Sequence, residues 1–583
     1  HPRMQDYMEG DLMEVYVVRV RTLGKRKADF KFIIDVLLLF RPGIIRPMRE
    51  NLSVNQITMF RNYFKVAFRI FGREKSYSLI NLSGLALGFT CCLLIYLFIK
   101  DELSFDNFHQ DDDRIYRVAS AYMRQERWEP YSSNSWRTAE LIESSFGEIE
   151  QMVRVCDTQP VFLLGEKPVV ETRVAIVDDN FFQVFSFPVV EGNAAEALKG
   201  PGKVVISRSM AAKYFGHEDP IGKILLANDS ALQLQVSGVM EDMPSNSHFH
   251  FDFLISGETL RQMAPESLFT NVGWDSQYVY IKVSPGTNPS SMDARFPDFI
   301  DKNLTPFTSG NFKLFLQPLR SIHLHSNNGL ELEQNGSINQ VYIFGAVGLF
   351  ILAIACVNYM NLTTARSMRR AREVGMRKVL GARKSDLVSQ FLSESFFMTF
   401  AAMVIAFGLA IVLLPDFNRF SGKAIEPGVL LQKEVMLTLA AGFVAISLFG
   451  GTYPSFVLSS FKPLNNMKGK DGGKSGFVFR KGLVLLQFVI CIALIAASAA
   501  VFNQWEFLKN KELGIDKDML VCLPLQTMDR GQIGAFRNDL LANPAIVGVG
   551  ACNMRMPGWI SNSTSYRAQD VEVDQEAPKS LKI

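Results

Sequence analysis

Cysteine is scarce in this chain, with seven in 583 residues, and the seven form no C-x-x-C pair and no Cys/His ladder of zinc spacing. That argues against a disulfide framework and against a structural zinc site. Cys91, Cys92, Cys356 and Cys491 fall inside apolar blocks, where a thiol behaves as a small hydrophobe. No G-x-S-x-G, H-E-x-x-H or G-x-G-x-x-G occurs, so no hydrolase or dinucleotide signature is present. Two glycine–lysine stretches imitate a P-loop and fail. Gly216 to Lys223 (GHEDPIGK) continues with Ile224 where Ser or Thr is required, and Gly472-Gly473-Lys474-Ser475 has Lys468 where the first glycine belongs. The sequence therefore carries no ATP site, metal site or other cofactor site that its motifs reveal. A formal net charge of +3 gives no strong field of either sign, and nothing in it points to nucleic acid.

What is abundant is apolar residue, at 48%, and its distribution is uneven. Long runs without a formal charge occupy 76–99, 341–365, 395–415, 435–461 and 482–505. A helix crossing the hydrocarbon core needs roughly 20 such residues, so each run is a membrane span. Lys/Arg bias orients them. Arg61, Lys65, Arg69, Arg73 and Lys75 precede span 1, whereas Asp101, Glu102, Asp106 and Asp111 to Asp113 follow it. Span 1 therefore leaves the cytoplasm. The basic stretch Arg366 to Lys384 after span 2, and Lys462 to Lys481 after span 4, lie inside, and strict alternation holds throughout.

Residues 101–340 thus form a large outer segment. Helical stretches (132–146, 207–215) mix with extended ones (169–179, 203–207, 232–240, 276–283), separated by turn signals at Pro201-Gly202, Asp219-Pro220 and Pro285-Gly286. The fold class expected is an α-helical transmembrane protein with inserted α+β extracytoplasmic domains. His248 and His250 alternate with Phe249, Phe251 and Phe253 as on a strand, with both imidazoles on one face. They and the His323/His325 pair lack a nearby third ligand and read as polar faces, not metal sites.

The cytoplasmic segment 365–395 (ARSMRRAREVGMRKVLGARKSDLVSQFLSES) is more ordered than orientation requires. It reads as a helix to Leu380, a break at Gly381, and a second helix capped by Ser385 or Asp386 that runs into span 3. A helix lying along the membrane and presenting a docking surface fits that pattern.

Four stretches carry a family resemblance: NYFKVAFRIFGREKSYSLINLSGLALGFTCCLLI (62–95), DELSFDNFHQDDDRIYRV (101–118), SGVMEDMPSNSHFHFDFLIS (237–256) and NYMNLTTARSMRRAREVGMRKVLGARKSDLVSQFLSES (358–395). Together they resemble the FtsX-like and MacB-like permeases of ABC transporters, in the long Bacteroidetes-type form that repeats an extracytoplasmic and a membrane domain. The resemblance implies a cytoplasmic prefix domain at 1–48, a basic amphipathic lead-in helix at 49–75, span 1 at 76–100 and a MacB-like periplasmic core at 101–340. An FtsX-like membrane domain with spans 2–4 follows at 341–461, including a coupling segment at 366–388. A cytoplasmic linker at 462–481, span 5 at 482–505 and the start of a second periplasmic core at 506–583 complete the layout, with the chain expected to be cut short within that second round.

The resemblance further implies a non-catalytic subunit of the cell inner membrane. A separate dimeric ABC ATPase would bind ATP and Mg, and its cycle would move the periplasmic domain for export or envelope work. The coupling contacts would fall on Arg369, Arg372, Glu373, Gly375, Arg377, Lys378, Gly381 and Ala382. A periplasmic adaptor or outer-membrane partner and self-association of the permease are further expectations. The alternative class is a membrane-anchored sensor of an extracytoplasmic ligand or stress.

Overall fold

The computed structural model describes residues 75–369, 384–460 and 474–550, with short breaks at 229–231, 274, 305–306, 512–518, 522 and 524–529. It also describes two isolated positions and two short strands at 563–565 and 580–582. The 1–48 prefix domain, nearly all of the lead-in helix and most of the linker lie outside the described residues.

Among the described residues, five helices are long and apolar enough to cross a membrane. They are span 1 (Lys75–Glu102), span 2 (Ile338–Arg369), span 3 (Lys384–Ser421), span 4 (Lys433–Ser460) and span 5 (Lys474–Asn510). Spans 1, 2, 3 and 5 outrun their uncharged stretches at both ends, and span 4 at its start. Span 1, with 28 residues, is about 42 Å long at 1.5 Å per residue, and the hydrocarbon core is about 30 Å thick. The excess carries charged residues past the membrane surface, where they reach water or a partner.

Spans 1 to 4 pack together around two apolar cores, one holding Leu85, Phe89, Tyr359, Met398 and Ile446, the other Leu93, Leu97, Leu414 and Val435. Backbones come close where side chains vanish: a Cβ on Gly450 of span 4 would stand 2.4 Å from the Tyr359 ring. Span 5 is exposed along its apolar length.

Between spans 1 and 2 the chain makes a mixed α/β domain outside the membrane. Its strands are β1 (Ile115–Arg124), β2 (Arg127–Tyr131), β3 (Asn134–Ser135), β4 (Ile149–Thr158), β5 (Val161–Leu164), β6 (Lys167–Val170), β7 (Val174–Val177), β8 (Val189–Gly192), β9 (Lys203–Ser207), β10 (Ile224–Ala227), β11 (Leu232–Met240), β12 (Phe253–Ser256), β13 (Asp275–Val283) and β14 (Phe312–Pro318). The sheet runs β14-β1-β13-β4-β7-β12-β9-β11-β10-β5-β6, with β2, β3 and β8 paired at its flanks. Only β7–β12 and β9–β11 are parallel within it. Helices Trp136–Ser145 and Arg208–Phe215 start where Ser135 and Ser207 accept a backbone N–H from the first turn, as N-caps do.

The extended run expected at 169–179 is two strands, broken at Glu171–Arg173, where the Arg173 carbonyl accepts N–H groups from Asp252 and Phe253. A second expectation is overturned: 248–252 is not a strand. β12 starts only at Phe253, and Phe249, Phe251 and His248 are all buried. An alternating pattern misled because both classes of side chain point inward, the phenylalanines to apolar cores and His248 to polar partners.

Candidate functional site

The base of the outer domain is where the membrane helices meet it, and two buried polar clusters form there. The first sits at the outer end of span 1. Span 3 ends at Ser421, and Gly422 follows with φ +70, the left-handed conformation that closes a helix most cheaply on glycine. Asn418 then clasps the turn. Its side-chain oxygen accepts from the Ile425 N–H, its amide donates to the Ile425 carbonyl, and its own carbonyl accepts from the Lys423 N–H.

Held in this way, Lys423 reaches across to span 1. Its ammonium lies 2.8 Å from Asp101 Oδ2 and 2.6 Å from Glu102 Oε1, with all three side chains largely shielded from water. Phe98 and Phe105 put their rings 5.5 and 4.8 Å from the same nitrogen, within reach of cation–π attraction.

Glu102 turns its other oxygen to His323, at 3.0 Å from Nε2. His323 belongs to the one-turn helix Ile322–His325, which follows β14 at the exit of the outer domain. Phe105 stacks on its imidazole, with ring centroids 3.3 Å apart and planes 3° from parallel. Gly336, on the lead into span 2, lies over this pair: a Cβ there would stand 2.6 Å from Glu102 Oε2 and 2.8 Å from His323 Nε2. Span 1, the domain's exit, the lead into span 2 and the loop between spans 3 and 4 thus converge on one charged cluster. Lys100, one residue before Asp101, adds an exposed contact to Gln432 and Glu434 at the start of span 4.

The second cluster lies just beyond. Asp106 is fully buried in the left-handed conformation, φ 59. Its Oδ1 accepts from the His248 N–H at 3.2 Å and from His248 Nδ1–H at 2.9 Å. The His248 Nε2 faces the Tyr280 hydroxyl across a hydrogen bond of 2.8 Å. Asn246 donates to the carbonyl and hydroxyl oxygens of Ser104. His109 is buried among Phe108, Phe185 and Phe187, and its Nδ1 accepts the Ser186 N–H. Burial pushes the His109 imidazole down to about 4; nearby Asp106 opposes this, and His248 adds to it. The cluster stitches the segment after span 1 to β13.

Higher in the domain, Arg117 of β1 is buried and pairs with both oxygens of Glu331 at 2.6 and 2.8 Å, and donates to Gln317 and Ser326. Burial raises the Glu331 carboxyl, but hydrogen bonding and attraction from Arg117 carry the net shift below its ordinary value. This fork holds the chain that returns toward span 2 against the central sheet.

The histidines do not form metal pairs. His250 bonds Glu333 and the Pro244 carbonyl, away from His248, while His323 is buried and His325 exposed. Among the described residues no group of three or more His, Cys, Asp or Glu side chains is placed to hold a metal ion. Gly216 closes the helix Arg208–Phe215 and Lys223 leads into β10, where its ammonium pairs with Glu218. Helix–loop–strand is the reverse of a P-loop. Lys474 begins span 5, and Gly472 and Gly473 lie outside the described residues.

Of the coupling residues, Arg369 is the last residue of the span 2 helix. Arg372, Glu373, Gly375, Arg377, Lys378, Gly381 and Ala382 lie outside the described residues. The base of the outer domain went unread in the sequence as a site. Its signal was there in the two motifs around Asp101–His109 and Asn246–His248, but nothing local shows that they meet.

A model described as MacB-like periplasmic core domain matches residues 78–298, and one described as FtsX-like permease C-terminal matches residues 345–463. The pyoverdine export ATP-binding/permease protein PvdT of Pseudomonas savastanoi pv. phaseolicola is 24% identical over 247 residues, covering 41% of this chain and 35% of PvdT. The macrolide export ATP-binding/permease protein MacB of Chlorobaculum tepidum is 33% identical over 110 residues, covering 19% of this chain and 16% of that one. The crystal structure of the periplasmic region of MacB from Actinobacillus actinomycetemcomitans is 15% identical, covers 35% of this chain and 90% of that one, and has a TM-score of 0.26. The chain spans about a third to a half of the length of the first curated relatives it matches.

Proposed function

We propose that this chain, matched by a MacB-like periplasmic core model over 78–298 and an FtsX-like permease model over 345–463, is the non-catalytic membrane subunit of an inner-membrane ABC transporter. In this reading a cytoplasmic ABC ATPase dimer binds ATP and Mg, docks on the segment after span 2, and drives movement of the outer domain. The carrying observation is the charged cluster of Asp101, Glu102, His323 and Lys423. A domain tethered only by flexible linkers would dissipate a shift of the helices below it. Here the outer ends of span 1 and of the span 3–4 loop are ion-paired to each other and hydrogen-bonded to the domain through His323, so a shift of either is passed on.

The docking surface is the segment from Ala365 to Ala382, just after span 2. Arg369, Arg372, Arg377 and Lys378 attract and orient the ATPase, Glu373 makes a specific charged contact, and Gly375, Gly381 and Ala382 permit close approach. In the same reading residues 506–583 start a second outer domain after span 5, and the two rounds of a duplicated arrangement supply both halves of the transporter. A periplasmic adaptor and self-association of the permease fit the same reading.

The test is co-purification with the ATPase, combined with its stimulation by the permease. Glu373→Ala and Gly375→Leu are expected to leave membrane insertion near normal and to weaken both. Truncating one partner of a buried charged contact costs roughly 2–5 kcal/mol, against about 0–1 kcal/mol for an exposed one. Wild-type association and stimulation in both variants would remove the segment from the mechanism.

A further inference from the structure

Within the membrane bundle one side chain is placed at a cost. Asn81 of span 1 is 1% exposed, and neither its amide oxygen nor its amide nitrogen has a hydrogen-bond partner. In a bilayer no water is at hand to satisfy such a group, which makes it expensive to keep. A leucine would fill the same space without that penalty.

The neighbouring span offers a partner one turn away. Asn358 of span 2 does not face Asn81; its Nδ2 stands 3.4 Å from where a Cβ on Gly84 would be. Asn81 precedes Gly84 by three residues and so lies beside it on the same face of the helix. Moving span 1 outward along span 2 by one turn, about 5.4 Å, brings Asn81 to the level of Asn358. Two amides there satisfy each other, donor to acceptor.

The contact surface tolerates the slide because it repeats at the same interval. In the observed register Gly88 sits against Ala355, so closely that a Cβ would fall 2.7 Å from the Ala355 methyl. After one turn Gly84, four residues earlier, occupies that place, and it too has no Cβ. On the other helix Gly348 lies against Ile95, leaving a further stretch without bulk.

We infer that spans 1 and 2 have a second register, one helical turn from the observed one, in which Asn81 pairs with Asn358. The two registers are held by different bonds. Lys423 and His323 fasten Asp101 and Glu102 in the register seen here, and those contacts must open for span 1 to advance. The asparagine pair holds the other register, giving two discrete states in place of a continuous drift.

Paired cysteines read the register directly, in this chain in membranes with its seven cysteines replaced by alanine. Phe98 and Phe344 have ring centroids 5.0 Å apart, so Phe98→Cys with Phe344→Cys reports the observed register. Leu94→Cys with Phe344→Cys reports the second, because Leu94 takes the place of Phe98 after one turn. A disulfide spans Cα atoms less than about 7 Å apart, which separates the two.

Both pairs are expected to cross-link. Adding Asn81→Leu, or separately Asn358→Leu, is expected to lower the Leu94–Phe344 product about three- to tenfold, the worth of interhelical hydrogen bonds in a bilayer. The Phe98–Phe344 product must persist in both variants, which shows that the bundle still folds. Absence of the Leu94–Phe344 product, or its survival undiminished in both leucine variants, overturns the second register. Its dependence on ATP and the ATPase rests on the proposed coupling. A Leu94–Phe344 product that is sensitive to Asn81 but indifferent to nucleotide upholds the register and counts against the coupling.

Discussion

Replacing Lys423 by methionine removes the cation that the junction places against both Asp101 and Glu102, while keeping the length of the side chain. The ammonium is 2.8 Å from one carboxylate and 2.6 Å from the other, and the three side chains are 12%, 15% and 6% exposed. Stripping one partner from a buried ion pair costs roughly 3–5 kcal/mol, because the remaining charge stays desolvated. His323 still faces Glu102, and Asp101 keeps some access to water, which brings the expected loss to about 2–3 kcal/mol. The assay is a double-mutant cycle on the detergent-solubilised full-length chain, with Lys423→Met, Glu102→Gln and the pair compared by denaturant unfolding. A coupling energy of about 1–3 kcal/mol is expected, since residues in one salt-bridge network are not additive. Lys423→Arg, which keeps the charge over the Phe98 and Phe105 rings, should recover most of the loss. Additivity of the two single changes within about 0.5 kcal/mol would refute the view that the junction is a mechanical link.

Three other outcomes follow from the geometry. His109 is held neutral, with its imidazole pushed to about 4 from an ordinary 6.5. Between those values the unfolded chain binds the extra proton, so stability is full above about pH 6.5 and falls by roughly 3 kcal/mol as the pH drops toward 4. His109→Phe should flatten that part of a melting-against-pH curve, and an unchanged slope would count against the assignment. Arg117→Met leaves Glu331 buried without its partner and should cost roughly 3–5 kcal/mol by denaturant unfolding, whereas Arg124→Met, at an exposed pair with Glu129, should cost under about 1 kcal/mol. Gly450→Ala sets a methyl against the Tyr359 ring and should destabilise the bundle by about 1–3 kcal/mol in thermal unfolding, while Gly442→Ala meets nothing within 4 Å and should be silent.

The spans were legible because a membrane imposes a one-dimensional constraint: a long uncharged run has no other common use. Their true ends were not, since Lys384 to Val388 or Asp416 to Ser421 continue the helix without continuing the apolar run. Some strands of the outer domain could be read from local alternation, with β9, β11 and β13 found almost to the residue, whereas others such as β1, β4 and β14 were not. His248 was misjudged because its burial depends on Asp106 and Tyr280, 142 and 32 residues away. The junction failed to appear for the same reason. Glu102 looks like ordinary acidic residue after a span until His323 and Lys423 are set beside it, and sequence distance hides both.

Those distances also fix an order of assembly. Glu102 emerges from the ribosome 221 residues before His323 and still longer before Lys423. While the outer domain is being made and translocated, Asp101 and Glu102 have water as their only counterpart. His323 arrives when that domain is nearly complete, but Lys423 arrives only after span 3 has threaded the bilayer and turned at Gly422. The junction therefore closes last, and only if the third span went in the right way round. A chain whose third span inverts or fails to insert leaves two adjacent carboxylates without their lysine at the membrane surface.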